Sequence, residues 1–197
     1  MAFNIETFKS RAGRNGFLRT NKFELWITVP PILKSGDVNI QDADNNLKFM
    51  CDAVNYPGIS LNTHDNRRFG YGAVEKKPNA PTFNDLNIDI IADGDNNNWK
   101  LIKKWIQYVN NYNFLNSTEP SPGNLSFFEV NYKQNYRSTI LLRIYHESGP
   151  EEPRTIVKFK DAFPVSISDI QMNWGDTGNL LRFQTSWSYF TWAEVRE

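Results

Sequence analysis

A single cysteine, Cys51, stands in 197 residues, so the chain can close no intramolecular disulfide and hold no thiolate metal cluster. Histidine is nearly as scarce: His64 and His146 are the only two, and neither lies at a metal-ligand spacing from the other or from Cys51. No sign of charge predominates. The 22 basic and 22 acidic side chains cancel and are spread along the whole length, which leaves no basic stripe for nucleic acid and argues against a tight, salt-dependent DNA binder. Long apolar runs are missing too. Met1 to Gly13 mixes charges with isolated apolar residues, so we expect no secretory signal or membrane span and a protein kept soluble inside a cell. A phosphate-cradling loop is excluded as well, because Gly13-Arg-Asn-Gly16 lacks the lysine and the strand-to-helix setting it needs. No cofactor is expected, and no residue is assigned to a catalytic, cofactor or metal site.

What is present is a high apolar and aromatic content, 40% and 14%, which suits one all-β domain over residues 1–197 with long loops; a second core would be starved. One stretch, Asn96 to Asn113, predicts a helix. Trp99, Ile102, Trp105, Ile106 and Val109 recur at steps of three and four and form a core-facing stripe, while Lys100, Lys103, Lys104, Gln107 and Asn110 take the other side. Asp93-Gly-Asp-Asn96 ahead of it supplies capping side chains and acidic charge that suits the helix dipole. The helix is expected to lie across a face or open end of an antiparallel β-sandwich or partly closed barrel.

The rest reads as strand and loop. Residues 1–16 are a flexible polar arm carrying Arg11 and Arg14. Phe23 to Val29 alternates as a first strand, Phe49 to Val54 is a second, and Tyr56-Pro57-Gly58 is a turn. Ile59 to Lys77 reads as a long polar hairpin with its tip at Asn66 to Gly72. Thr82 to Ala92 alternates again, with Leu86, Ile88 and Ile90 inward. Leu125 to Tyr132 and Tyr136 to His146 read as a strand pair, and Thr155 to Phe163, Val165 to Trp174 and Leu180 to Trp192 as closing strands, with Trp174 in the core. Residues 32–47, 113–135 and 147–154 are loops or insertions, the last a charged turn with two prolines.

Several constellations resemble sites and break down on inspection. Asp93-Gly-Asp95-Asn-Asn97 begins like a calcium loop, but Asn98 occupies its glycine position and Lys104 the place of its bidentate acid, so the run reads as a helix cap; Asp42-Ala-Asp44-Asn-Asn46 reads as a solvated loop. Cys51 lines up with Phe49 and Ala53 on a half-buried strand, which makes it a structural cysteine rather than a nucleophile. The tryptophans at 26, 99, 105, 174, 187 and 192, with Tyr189 and Phe190, read as core and interface, with a sugar-stacking platform as the alternative.

The stretch Phe163-Pro-Val-Ser-Ile-Ser-Asp-Ile-Gln-Met-Asn-Trp-Gly-Asp176, followed by Leu181, Phe183, Trp187, Tyr189 and Trp192, resembles the C-terminal signature of bacteriophage contractile-tail tube proteins. Arg19-Thr-Asn-Lys-Phe23, Phe49-Met-Cys-Asp-Ala53 with Pro57-Gly58, the hairpin, Thr82-Phe-Asn-Asp85 and the helix with Trp105 match in the same order, from about Arg14 to Trp192. The chain departs from that pattern in extra length at 32–47, 112–135 and 147–154, and in having no proline beside Asn21.

The resemblance implies a non-enzymatic virion component whose β-sandwich subunits close into hexameric rings and stack into an inner tail tube, a conduit for DNA ejection. It implies partners in other copies of the chain, the tail sheath, and baseplate or terminator proteins, with phage DNA passing unbound and assembly in the host cytoplasm. Arg14, Arg67, Arg68, Phe69 and Tyr71 are then the expected subunit-interface residues. A baseplate-proximal tube-initiating protein shares the domain. From other classes, a glycan-binding module and a hydrolase with scattered carboxylates are the alternatives, although nothing organises a carboxylate pair for the latter.

Overall fold

The computed structural model describes residues 4–6, 9–10, 18–34, 43–67, 70–112, 128–146, 149–175 and 178–195. Within them the chain is mainly β, and its named strands pair antiparallel. The strands are β1 (Leu18–Ile27), β2 (Cys51–Val54), β3 (Ile59–Asn66), β4 (Glu75–Phe83), β5 (Leu86–Ile91), β6 (Ser138–His146), β7 (Gly149–Ile167), β8 (Arg182–Ser188) and β9 (Thr191–Val195). Two short helices, α1 (Pro31–Lys34) and α2 (Ala43–Met50), follow β1; α3 (Asn97–Val109) follows β5, and α4 (Lys133–Tyr136) precedes β6. None of these helices is long and apolar enough to cross a membrane.

β7 organises the body. Its first part pairs with β6 on one side and β9 on the other, while its last residues, Phe163 to Ile167, pair with β8. The strand changes sheets at Asp161, which sits in the left-handed region at φ 55° and interrupts the register between Phe159 and Ala162. Such a bulge bends a strand and raises its twist, which is how sandwich corners are made. Arg137 donates to the Asp161 carboxylate at 2.9 Å across the bend. The two sheets, β1-β6-β7-β9 and β7-β8-β5-β2, enclose one core that includes Leu25, Ile27, Ile140, Leu142, Val157 and Phe159 from the first and Leu86, Ile88, Ile90, Phe183 and Trp187 from the second. The sandwich is not a closed barrel: among the described residues β1, β2 and β9 each have one strand partner.

Helix α3 completes that core as its periodicity predicts, with Trp105 and Ile102 wholly buried. The Trp105 indole donates to the Tyr136 carbonyl at 2.9 Å and meets the Trp187 ring edge-on at 5.1 Å. Trp99, Ile106 and Val109 pack only partly against the core, while Leu101 and Tyr108 are buried, so the buried stripe is rotated from the expected one. Gln107, expected outside, is buried. Asn98 is buried as well because its amide donates to the Ile91 carbonyl, tying the helix to β5. Capping comes from Asp93, whose carboxylate accepts the Asn98 amide at 3.2 Å; Asn96 itself makes no side-chain cap.

Several strand boundaries differ from the sequence expectation. Phe49 and Met50 belong to α2, where Leu47 and Met50, three apart, face the core and Phe49 is exposed. Residues 149–154, expected as a turn, extend β7, and Pro153 is accommodated where the register against β6 shifts. Residues 168–174, expected as strand, form a loop. Residues 128–132 make a single bridge, Val130 to Asn110. Trp174, expected in the core, is fully exposed and contributes nothing to it.

Candidate assembly surface

The surface that distinguishes this chain from a simple sandwich is the hairpin β3–β4. It forms a separate two-stranded sheet, and among the described residues its strands pair only with each other. Every residue of both strands is exposed except Asn66 and Phe83, which are half-buried. Apolar side chains therefore stand in water here: Ile59 is 55%, Leu61 63% and Tyr71 77% exposed, and Val74 is exposed as well. Two prolines, Pro78 and Pro81, lie within β4 and remove its backbone donors at those positions, whereas β3 keeps all of its own. Gly70 and Gly72 adopt positive φ, 76° and 93°, so the tip turns where the sequence places it.

The expected interface residues separate on inspection. Arg67 and Tyr71 are exposed at the hairpin tip. Arg14, Arg68 and Phe69 lie outside the described residues, as do Asp42 and most of the N-terminal arm.

Two features at opposite ends of the β5–β8 pair escaped the sequence reading. At the Leu86 end, an open cleft of about 650 Å³ lies against the root of the hairpin, lined by Tyr56, Pro57, Asn84, Asp85, Leu86 and Tyr189 among others. At the Ile91 end, the β7–β8 loop carries Met172, 80% exposed, and Trp174, fully exposed. Alternation suggested both ends of that loop were strand, and the Trp-Gly dipeptide of its turn was the only available hint.

A polar cluster on β1 was also invisible in sequence because its members are far apart. Glu24 pairs with Lys48 of α2 at 2.5 Å, accepts a hydrogen bond from the Tyr145 hydroxyl at 2.8 Å and lies 3.7 Å from Arg143. Lys48 and Arg143 both stand over the Trp26 ring, at 4.0 and 5.3 Å. Burial works against the Glu24 charge, but the surrounding side-chain hydrogen bonds, led by Lys48, outweigh it and hold the carboxyl down at about 2. This arrangement locks α2 to β1. Asp44, at the other end of α2, accepts the Val29 amide at 2.9 Å and pairs with Lys34.

The Cys51 thiol is pushed up to about 12 by burial, with Asp52 and Asp89 adding to the effect, so it is not a nucleophile at neutral pH. Among the described residues no three His, Cys, Asp or Glu side chains are grouped to hold a metal ion. The aromatics do not share a stacking face. Trp105 and Trp187 are wholly buried, Trp26 lies under two cations, and Tyr189 packs between Phe83 and Phe159.

Comparison with known proteins follows the same direction. The model of the phage tail tube protein family matches residues 18–195. Among solved structures, a chain of the anti-feeding prophage baseplate, 6-fold symmetrised, superimposes with a TM-score of 0.58 at 10% identity, covering 90% of this chain and 94% of that one. A chain of the sheath-tube complex of PVC, an extracellular contractile injection system, in its extended state gives 0.55 at 13% identity, covering 98% and 99%. A chain of the anti-feeding prophage tube-terminating cap gives 0.57 at 13% identity, covering 92% of each. At such identities the likeness establishes a shared fold. No curated protein sequence matches the chain.

Proposed function

Because the chain belongs to the phage tail tube protein family, whose model spans residues 18–195, we propose that it is the repeating subunit of a contractile tail's inner tube, built from stacked hexameric rings. Membership of the family makes it a structural component of a tail rather than an enzyme. The finer reading adds that the tube conducts DNA out of the virion, contacts sheath, baseplate and terminator proteins, and assembles in the host cytoplasm.

One observation carries this reading: a two-stranded sheet with no buried face. Exposed edges and apolar side chains on a free hairpin are an aggregation hazard in a monomer, and become an asset when another copy supplies the missing pairing and cover. The core draws no buried residue from the hairpin, whose half-buried Phe83 at the root rests on Tyr189. β3, which keeps its backbone donors, is the strand suited to pair onward, while the prolines of β4 discourage pairing at the other edge. A sixfold ring suits such a subunit, because a head-to-tail contact that closes by rotation gives a ring of identical copies.

The test is to replace Asn66 to Gly72 with a tight Asn-Gly turn and examine purified protein by negative-stain microscopy and circular dichroism. We expect a folded monomer with an unchanged β-rich spectrum and no rings or tubes, where the unaltered protein forms both. Tubes that persist would place the interface elsewhere. A subunit that unfolds would make the hairpin part of the core. The likeness to a baseplate chain favours a second reading, a baseplate-proximal protein that initiates the tube. Single rings from pure protein would decide for the initiator, and long stacks for the main subunit.

A further inference from the structure

The formal charge of the whole chain is zero, yet the fold gathers cations at one corner. Where β7 bends, an open cleft of about 550 Å³ lies among the end of β1, the start of α1, α4 and β7, and Arg137, Lys158 and Lys160 line it. The acid in its lining, Asp161, is already bonded to Arg137 at 2.9 Å. Asp44, whose carboxylate accepts the amide of the cleft residue Val29, is paired with Lys34.

The two lysines are left without an answer. Opposite charges facing each other across a sheet are a common way to hold a strand cation, but Lys158 faces Leu141 on β6 and Ala193 on β9, and Lys160 faces Thr191. No ion pair engages either of them among the described residues. Two positions apart on one strand, they present their ammonium groups on the same face at a spacing of about 7 Å. A third cation stands beside them: the Phe190 amide donates to the Lys160 carbonyl at 3.0 Å, and Lys133 lies over the Phe190 ring, 5.7 Å from its centre. Phe190 and Tyr132 are both exposed at this rim, 67% and 78%. Ser138, in the lining, is buried, and its hydroxyl has no hydrogen-bond partner among the described residues. A buried polar group that the subunit leaves unmet calls for a water or a ligand.

We infer that this corner is a docking site for an acidic peptide segment of a partner protein, seated with its carboxylates on Lys158, Lys160 and Lys133. The site depends neither on the tube reading nor on the hairpin contact. An extended segment repeats its same-face side chains every second residue, so alternate Asp or Glu residues match the spacing of the two strand lysines. Thr28, Thr139, Gln134 and Asn135 supply donors and acceptors for a peptide main chain. A concave site lined by one uncompensated sign of charge concentrates ligands of the other sign. Nucleic acid fits less well, because its affinity is built from many phosphate contacts along a cationic track, and three lysines around one cleft offer few.

The test is fluorescence anisotropy of a labelled oligo-aspartate peptide with the unaltered full chain. Binding should appear at low salt and weaken as salt is raised, while an oligo-asparagine peptide of the same length should not bind. The double variant Lys158→Gln with Lys160→Gln should lose about 10-fold or more in affinity, the worth of a single charge-assisted contact. Lys76→Gln removes the same charge from the hairpin, away from the cleft lining, and should leave the affinity unchanged. Circular dichroism and melting check the fold of each variant. If the double variant does not fold, Lys160→Glu alone, at an exposed position, takes its place. Coupling the bound peptide to the unaltered protein with a carbodiimide, which joins carboxylates to amines, should place the link on Lys158, Lys160 or Lys133 by mass spectrometry.

No binding by the unaltered protein overturns the site. So do an equal loss in Lys76→Gln and links confined to lysines elsewhere, either of which would make the attraction diffuse. A DNA oligonucleotide that binds more tightly than oligo-aspartate, and loses its affinity in the double variant, would make this a phosphate-backbone site and overturn the peptide reading. Each of these failures leaves the tube reading untouched, since ring and tube formation do not enter the measurement.

Discussion

At the scale of single residues, the core is decided by a few large side chains, among them Trp105 and Trp187, whose indole N–H groups are both hydrogen-bonded. Trp105 is wholly buried, its N–H bonded to the Tyr136 carbonyl and its ring set edge-on against Trp187, whose own N–H donates to the Thr185 hydroxyl at 2.9 Å. Trp105→Ala should therefore cost about 3–5 kcal/mol in chemical denaturation, through a cavity and an orphaned carbonyl together. A loss below about 1 kcal/mol would place Trp105 outside the core. Glu24 makes a different prediction. Its carboxyl is held at about 2 against an ordinary 4.5, so the folded state binds the proton more weakly than the unfolded chain does. The stabilisation from its charge is present in full above the unfolded value and is lost as pH falls from about 4.5 towards 2. Glu24→Gln should cost about 1–2 kcal/mol at neutral pH, between the values for exposed and buried pairs. The gap between variant and unaltered protein should close over that acid window; a gap independent of pH would deny Glu24 its charge-based role.

At the scale of elements, β7 depends on one bend. Asp161 holds a positive φ that glycine adopts freely and a β-branched residue resists, so Asp161→Gly should stay within about 1 kcal/mol of the unaltered protein while Asp161→Val loses about 1–2 kcal/mol or more by urea denaturation. Equal losses would mean that the Arg137 contact, not the backbone, sets the bend. The same residue explains why this region was hard to read. Nothing in the pattern around Asp161 marks a bulge, and Pro164 suggested a break between Thr155 to Phe163 and Val165 to Trp174 where one strand runs on. α3 was legible because two tryptophans on a 3.6-residue period admit no other element; its exact buried face was not, because Asn98 is recruited inward by a carbonyl on β5 that the sequence does not place. The hairpin was legible from its low apolar content and its glycines, but it runs on from the expected Lys77 to Phe83, taking Thr82 and Phe83 from the strand expected next. The cluster of Glu24, Lys48, Arg143 and Tyr145 was not, since ion pairing between residues so far apart leaves no periodic trace. Trp174 was misplaced for a related reason: an apolar residue in an alternating stretch is read the same way whether or not the fold covers it, and here it does not.

At the scale of the whole molecule, the balance of 22 basic and 22 acidic residues bears on both the proposed assembly and the proposed conduction. A filament places many copies of one chain side by side, and a large net charge of either sign would add repulsion with every copy; a net charge of zero removes that penalty. On the proposed conduit reading, the same balance governs how a tube of this chain would meet DNA. Tight duplex binding rests on lysines and arginines that displace counterions from phosphates, and its affinity falls steeply with salt in proportion to the number of such contacts. Here several of the described cations are occupied within the subunit: Lys48 and Arg143 by Glu24, Arg137 by Asp161, Lys34 by Asp44 and Arg182 by Asp52. A conduit must let a long polyanion slide, and each firm phosphate contact would act as a brake. Assembled protein should thus give no gel-shift of duplex DNA at about physiological salt, and lowering the salt toward roughly 50 mM should gain little retention. Strong binding at low salt that collapses as salt is raised would reveal a cationic lumen and overturn the passive conduit.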